Sequence, residues 1–206
     1  MIQKQERRRF GGDCNISNIA RRSAFFALLI VLLGSATKDA FTQTNPFRVV
    51  ENLAKLPAGR TWRDPSAVSI DCHGYIWMID RCGEYPCQVQ DLPPILKFSP
   101  SGELLKSFGE NMFVYAHGLF VDKDDNVWVT DGRGKDGKGF QVFKFNSDGK
   151  VLMVLGKAGV PGDGPGTFTG PSAVVVSLKG DIFIADGHKQ LPGPCSTVLL
   201  NASSRT

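Results

Sequence analysis

Residues 65–188 run as short apolar stretches that alternate with polar positions and are punctuated by glycine, proline, asparagine and aspartate. Alternation with period two and frequent turn residues predict half-buried β-strands. Strands are expected over Ala67–Asp71 and Tyr75–Ile79, about a turn at His73-Gly74. A second pair is expected over Ile95–Phe98 and Glu103–Phe108, about Ser99-Pro100-Ser101-Gly102. The plan then repeats. Pro65-Ser66-Ala67-Val68 leads to Tyr75-Ile76-Trp77-Met78-Ile79-Asp80, and Ala116-His117-Gly118-Leu119 leads to Asn126-Val127-Trp128-Val129-Thr130-Asp131. Pro171-Ser172-Ala173-Val174 leads in turn to Asp181-Ile182-Phe183-Ile184-Ala185-Asp186. The aromatic at 77, 128 and 183 and the closing aspartate at 80, 131 and 186 both step by 51 and then 55.

Strand-rich repeats of this length predict an all-β fold, a β-propeller built blade by blade. Val142-Phe143-Lys144-Phe145 matches Ile95-Leu96-Lys97-Phe98 at a step of 47, as Gly149 and Gly156 match Gly102 and Gly109. Blade three holds register through Asp186-Gly187-His188. Residues 189–206 then offer no Lys-Phe strand and no second hairpin, and their Ser, Thr, Asn and Pro content reads as a non-native or disordered tail. The expected domain is a partial propeller over 65–188, about two and a half blades from a longer, truncated or frame-shifted protein. Residues 37–64 read as a lead-in, with a possible first strand in Asn45–Asn52. An open sheet edge of this kind favours aggregation.

The net charge of +4 lies entirely in residues 1–36, where six basic residues face Glu6 and Asp13. The neutral remainder has no footprint for nucleic acid. Arg21 and Arg22 precede an apolar run, Ala24–Leu33, and then Gly34-Ser35-Ala36. This reads as a signal peptide, or as an uncleaved signal anchor, and the run is too short for the roughly 20 residues of a spanning helix. The body is thus expected outside the cytoplasm, with membrane association only through an uncleaved leader. In that compartment Cys82 and Cys87, bracketing Gly83-Glu84-Tyr85-Pro86, are expected to close a short disulfide loop. A metal pair is the alternative, but no second cysteine or histidine pair stands at zinc-finger spacing. Cys72 reads as a lone thiol on a hairpin tip, and His73 as a residue pointing away from any site.

Gly132-Arg133-Gly134-Lys135-Asp136-Gly137 matches a dinucleotide-binding pattern but is followed by a strand, so it reads as a loop. Asp122-Lys123-Asp124-Asp125-Asn126 lacks the glycine and distant glutamate of a calcium loop and reads as a hairpin turn. His117 stands where the other blades carry Ser66 and Ser172. Imidazole is a common zinc donor, so this break in the repeat marks a candidate ligand; the alternative is a surface or hydrogen-bonded histidine. Arg81 follows the closing aspartate of blade one, where it can serve as an anion clamp or stay solvated.

The run Tyr115-Ala116-His117-Gly118-Leu119, with Val121-Asp122, Asn126–Asp131 and Gln141-Val142-Phe143-Lys144-Phe145, resembles the lyase module of peptidylglycine amidation. The resemblance, strongest to the bacterial NHL-repeat type of the peptidyl-alpha-hydroxyglycine alpha-amidating lyase family, covers about Asn45 to His188. It implies a six-bladed propeller with a catalytic zinc on three histidines from three blades. Such an enzyme cleaves the N–C bond of a peptidyl-alpha-hydroxyglycine substrate and releases a peptide amide and glyoxylate. By resemblance His117 matches the first zinc ligand and Arg81 the active-site arginine. Val68 and Leu119 match positions whose backbone carbonyls hold a structural calcium. His188 stands where animal enzymes place an active-site tyrosine, and the other zinc histidines belong to later blades. An incomplete, inactive zinc site is therefore expected of this chain, and a non-catalytic NHL binding scaffold is the alternative function.

Overall fold

The structure, a computed structural model, describes residues 47–81, 92–187 and 196–200. These residues form eleven strands and no helix, as the alternation predicts. β1 (Asp64–Ile70), β2 (Ile76–Arg81), β3 (Ile95–Phe98) and β4 (Leu104–Phe108) make one four-stranded sheet. A second consists of β5 (Ala116–Val121), β6 (Val127–Lys135), β7 (Lys138–Phe145) and β8 (Val151–Leu155). The third has three strands, β9 (Pro171–Val176), β10 (Ile182–Asp186) and β11 (Ser196–Leu200). Pairing within these sheets is antiparallel between sequence neighbours, and the first strands β1, β5 and β9 lie side by side. The fold is all-β, a β-propeller, with each sheet one blade.

The sequence reading needs correction in three places. Residues 47–50 form no strand, and, of the described residues, 47–51 fall in a separate unit. From Asn52 onward the lead-in already belongs to the first sheet: Lys55 bridges Glu103, and β1 begins at Asp64. Gly132–Lys135 and Lys138–Gly139 are strand, closed by a two-residue turn at Asp136-Gly137 with φ of 51° and 76°, as a tight hairpin requires. Finally, Ser196–Leu200, read as part of a disordered tail, pairs along the whole of β10. Its Thr-Val-Leu-Leu run has strand propensity, and β10 offers an edge to pair with.

The middle blade shows why alternation matters. Val127, Val129, Phe143 and Phe145 face the first sheet and pack with Trp77, Ile79, Ile95 and Phe108. Trp128 and Val142 point the opposite way, into a core with Phe168, Val174, Ile182 and Ile184. Successive residues therefore serve two different cores, and both faces of this sheet are buried.

Each closing aspartate explains its place in the repeat. Asp80 Oδ1 accepts the backbone N–H groups of Arg63 (2.9 Å) and Asp64 (3.2 Å). Asp131 accepts those of Val114 (2.9 Å) and Tyr115 (2.6 Å), and Asp186 those of Thr169 (2.9 Å) and Gly170 (2.7 Å). All three carboxylates are buried and tie the end of a blade's second strand to the entry of its first. A second device sits at the opposite end. Trp77 Nε1–H donates to Asp71 Oδ2, and Trp128 Nε1–H to Asp122 Oδ2, both at 2.9 Å. At the same six-residue spacing blade three has Ser177 and Phe183, losing acceptor and donor together.

Five turns share one closing bond from the fourth residue's N–H to the first residue's carbonyl: Asp71–Gly74, Ser99–Gly102, Asp122–Asp125, Asn146–Gly149 and Ser177–Gly180. The fourth residue takes φ of 83° to 89° in the four glycines and 59° in Asp125.

Asp131→Ala strands two N–H groups without their acceptor and is expected to cost about 2–4 kcal/mol in urea denaturation. Burial pushes the Asp131 carboxyl up to about 6, against the lowering effect of the Val114 and Tyr115 N–H groups. A raised acid favours the folded state below the unfolded value and loses that contribution as the folded group ionises. Stability should therefore decline from this group as pH rises from about 4 through about 6, and Asp131→Asn should flatten that decline.

Candidate functional site

Ser66, His117 and Ser172 share a local structure that their sequence positions only hint at. The ladder slips at Pro65/Ala67 in β1 and at Ala116/Leu119 in β5. In β9, Ala173 pairs with Ala185 and Pro171 with Asp186, leaving Ser172 unmatched. Each of the three residues is the extra one of a β-bulge, which turns its side chain out of the regular alternation. Ser66 Oγ–H donates to the Ala116 carbonyl of the next blade (3.2 Å). His117 does the same one blade on, its Nδ1 lying 2.9 Å from the Ser172 carbonyl. A carbonyl only accepts, so Nδ1 carries the proton, and in the neutral ring the basic lone pair is on Nε2. Gly118 replaces the alanine of the other blades because a Cβ there would sit 2.4 Å from the Ser172 oxygen. Its N–H donates to Thr130 Oγ1 at 2.8 Å, which fixes the bulge.

Beside His117 lies Tyr115, and on Tyr115 the structure gathers two cations. The Tyr115 ring has the Arg81 guanidinium 3.9 Å and the Arg133 guanidinium 4.2 Å from its centroid. The His117 ring lies 5.9 Å from the same centroid. Arg81 also pairs through Nε with Asp64 Oδ2 (2.6 Å) and donates from Nη1 to the Ala116 carbonyl (3.3 Å). Two of its five N–H donors thus serve the scaffold, and a two-bond grip on an anion would fall to the Nη1–Nη2 end. Arg133 extends from the β6 segment between the paired residues Asp131 and Gly134. Sequence reasoning passed over Tyr115 and Arg133. The signal was the arginine inside the glycine-rich run, dismissed with the nucleotide motif that contained it.

Val68 and Leu119 occupy equivalent positions of the adjacent strands β1 and β5, two residues past the bulge, opposite Met78 and Val129. His188, Cys82 and Cys87 lie outside the described residues. At the other end of the strands, Cys72 and His73 depart from expectation by converging on Asp125. His73 Nε2 is 3.0 Å from Oδ2, and Cys72 Sγ 3.7 Å from Oδ1.

No family model matches the chain. Over 98 residues, 46% of this chain and 17% of the relative, it is 43% identical to peptidyl-alpha-hydroxyglycine alpha-amidating lyase 1 of Drosophila melanogaster. NHL repeat-containing protein 3 of mouse is 30% identical over 183 residues, 80% of this chain and 50% of the relative. The similarity is to amidating lyases and NHL-repeat proteins. This chain therefore spans half or less of the length of these curated relatives. Among solved structures, a gluconolactonase of Xanthomonas campestris aligns with a TM-score of 0.42 at 20% identity, over 68% of this chain and 38% of its own.

His117→Ser restores the residue that makes the inter-blade bond in blade one. It is expected to change stability by no more than about 1 kcal/mol, checked by thermal and urea denaturation.

Proposed function

We propose that this chain carries blades of an amidating-lyase-like propeller whose Arg81–Tyr115–Arg133–His117 end receives a peptide ending in alpha-hydroxyglycine. The carrying observation is His117 on the β5 bulge, its ring oriented by the Ser172 carbonyl and 5.9 Å from the Tyr115 ring on which two guanidiniums sit. Such a peptide presents a carboxylate and a hydroxyl on one carbon. In this reading Arg133 faces the carboxylate, Arg81 holds Tyr115 in place, and His117 Nε2 faces the hydroxyl. Cleavage removes the hydroxyl proton as the C–N bond breaks; the departing amide nitrogen gains a proton, and glyoxylate is left. The 43% identity to the fly lyase supports this assignment.

The family resemblance adds zinc at His117 and calcium at the Val68 and Leu119 carbonyls, in a protein acting outside the cytoplasm. A carbonyl-oriented imidazole is the usual second partner arrangement of a zinc histidine. Catalytic zinc takes about three protein ligands, however, and the described residues bring one imidazole to this end. These residues alone do not complete the centre, so no step is assigned to the metal. The second reading, a non-catalytic NHL scaffold, draws on the mouse NHL-repeat relative, which aligns over 80% of this chain.

Titration with one short peptide in two forms, ending in alpha-hydroxyglycine or in a carboxamide, separates the readings. The hydroxyglycine form is expected to bind more tightly, and Arg133→Ala to weaken it about tenfold or more, the usual loss for a hydrogen bond to a charged group. Equal affinity for the two forms would refute the lyase-like assignment and favour the scaffold.

A further inference from the structure

The hairpin tips of blades one and two bring three different donor types to one point. Cys72 and His73 come from the Asp71–Gly74 turn, and Asp125 comes from the Asp122–Asp125 turn. The thiol, imidazole and carboxylate donor atoms all lie within 4.8 Å of one another. Bonds of about 2.0–2.3 Å place neighbouring donors of a tetrahedral zinc about 3.3–3.6 Å apart. The observed separations, 3.0 Å for His73–Asp125 and 3.7 Å for Cys72–Asp125, bracket that range. Small side-chain adjustments suffice to enclose an ion.

Both tips are held before any ion arrives. Asp71 accepts the N–H groups of His73 and Tyr75 and the Trp77 indole. Asp122 likewise accepts those of Asp124, Asn126 and Trp128. Neither of these carboxylates belongs to the donor set, so each turn is built independently of a metal. Asp125 is the anomaly. At its position the four sister turns use glycine, because φ is positive there and a side chain is disfavoured. Only the turn that faces Cys72 and His73 places a carboxylate at this site, at a conformational cost. A plain His–Asp surface ion pair contributes little and gives no reason for the adjoining thiol.

We propose that Cys72, His73 and Asp125 form a zinc-class divalent metal site that clips blade one to blade two at the end remote from His117. A thiolate, an imidazole and a carboxylate suit zinc or cobalt better than calcium or magnesium, and the exposure of Cys72 leaves a fourth position to water. The site is independent of the lyase reading, which offers no thiolate at His117.

Cobalt(II) titration of the reduced full-length chain tests this. Thiolate ligation gives a near-ultraviolet charge-transfer band that imidazole alone does not. The wild-type protein is expected to show the band, and Cys72→Ala to abolish it. His73→Ala should weaken cobalt binding about tenfold or more, as should Asp125→Gly. The latter introduces the residue of the sister turns, so the fold should survive; zinc should then raise its thermal midpoint less than that of the wild type. No band in the wild type, or a band that persists in Cys72→Ala, would overturn the proposal. So would a folded Asp125→Gly protein with unchanged cobalt affinity. Loss of hydroxyglycine-peptide discrimination in the separate peptide titration bears only on the lyase reading.

Discussion

Everything in this fold depends on a buried carboxylate at the end of each blade's second strand. Asp80, Asp131 and Asp186 each satisfy two consecutive N–H groups at the point where the chain enters the first strand. The three carboxylates are themselves buried, at 3%, 0% and 4% exposure. A buried unpaired amide is costly, so the carboxylate fixes where the first strand begins and which residue falls on the bulge. From that start the alternation of the middle blade assigns its side chains to two cores. Asp131 holds the amides of Val114 and Tyr115, the latter two residues before His117.

The bulge residues convert this local device into contact between blades. Ser66 and His117 each reach a carbonyl of the following first strand, and Gly118 lets β5 and β9 approach closely. A histidine in this place gives up nothing of the serine's role and adds a second nitrogen beyond it. Scaffold and candidate chemistry are thus carried by one side chain. The Arg81–Asp64 pair and the two guanidiniums on Tyr115 show the same economy, because the cations at the candidate site also brace the strands.

Much of this was legible in the sequence because repetition exposes what is structural. The strands of the first two blades follow from alternation and turn residues, and His117 stood out because two sister blades have serine. The Asp–Trp pairing left a trace that the sequence analysis did not use: Ser177 and Phe183 replace both partners together. Other features were hidden for physical reasons. Ser196–Leu200 carries no repeat marker, and its strand depends on the available edge of β10. Tyr115 and Arg133 are joined by packing across residues distant in sequence. The convergence of Cys72, His73 and Asp125 depends on the angle between neighbouring blades, which no spacing encodes.

The closing bonds also have a short reach along the chain. Each aspartate lies only 16 or 17 residues from the amides it holds. Little loop entropy opposes such a contact, and structures dominated by near neighbours fold quickly. Each first hairpin can therefore close as soon as about twenty residues are available, before the next blade has been made. Blade assembly can then proceed in the order of synthesis, with every finished hairpin presenting a prepared face to its successor.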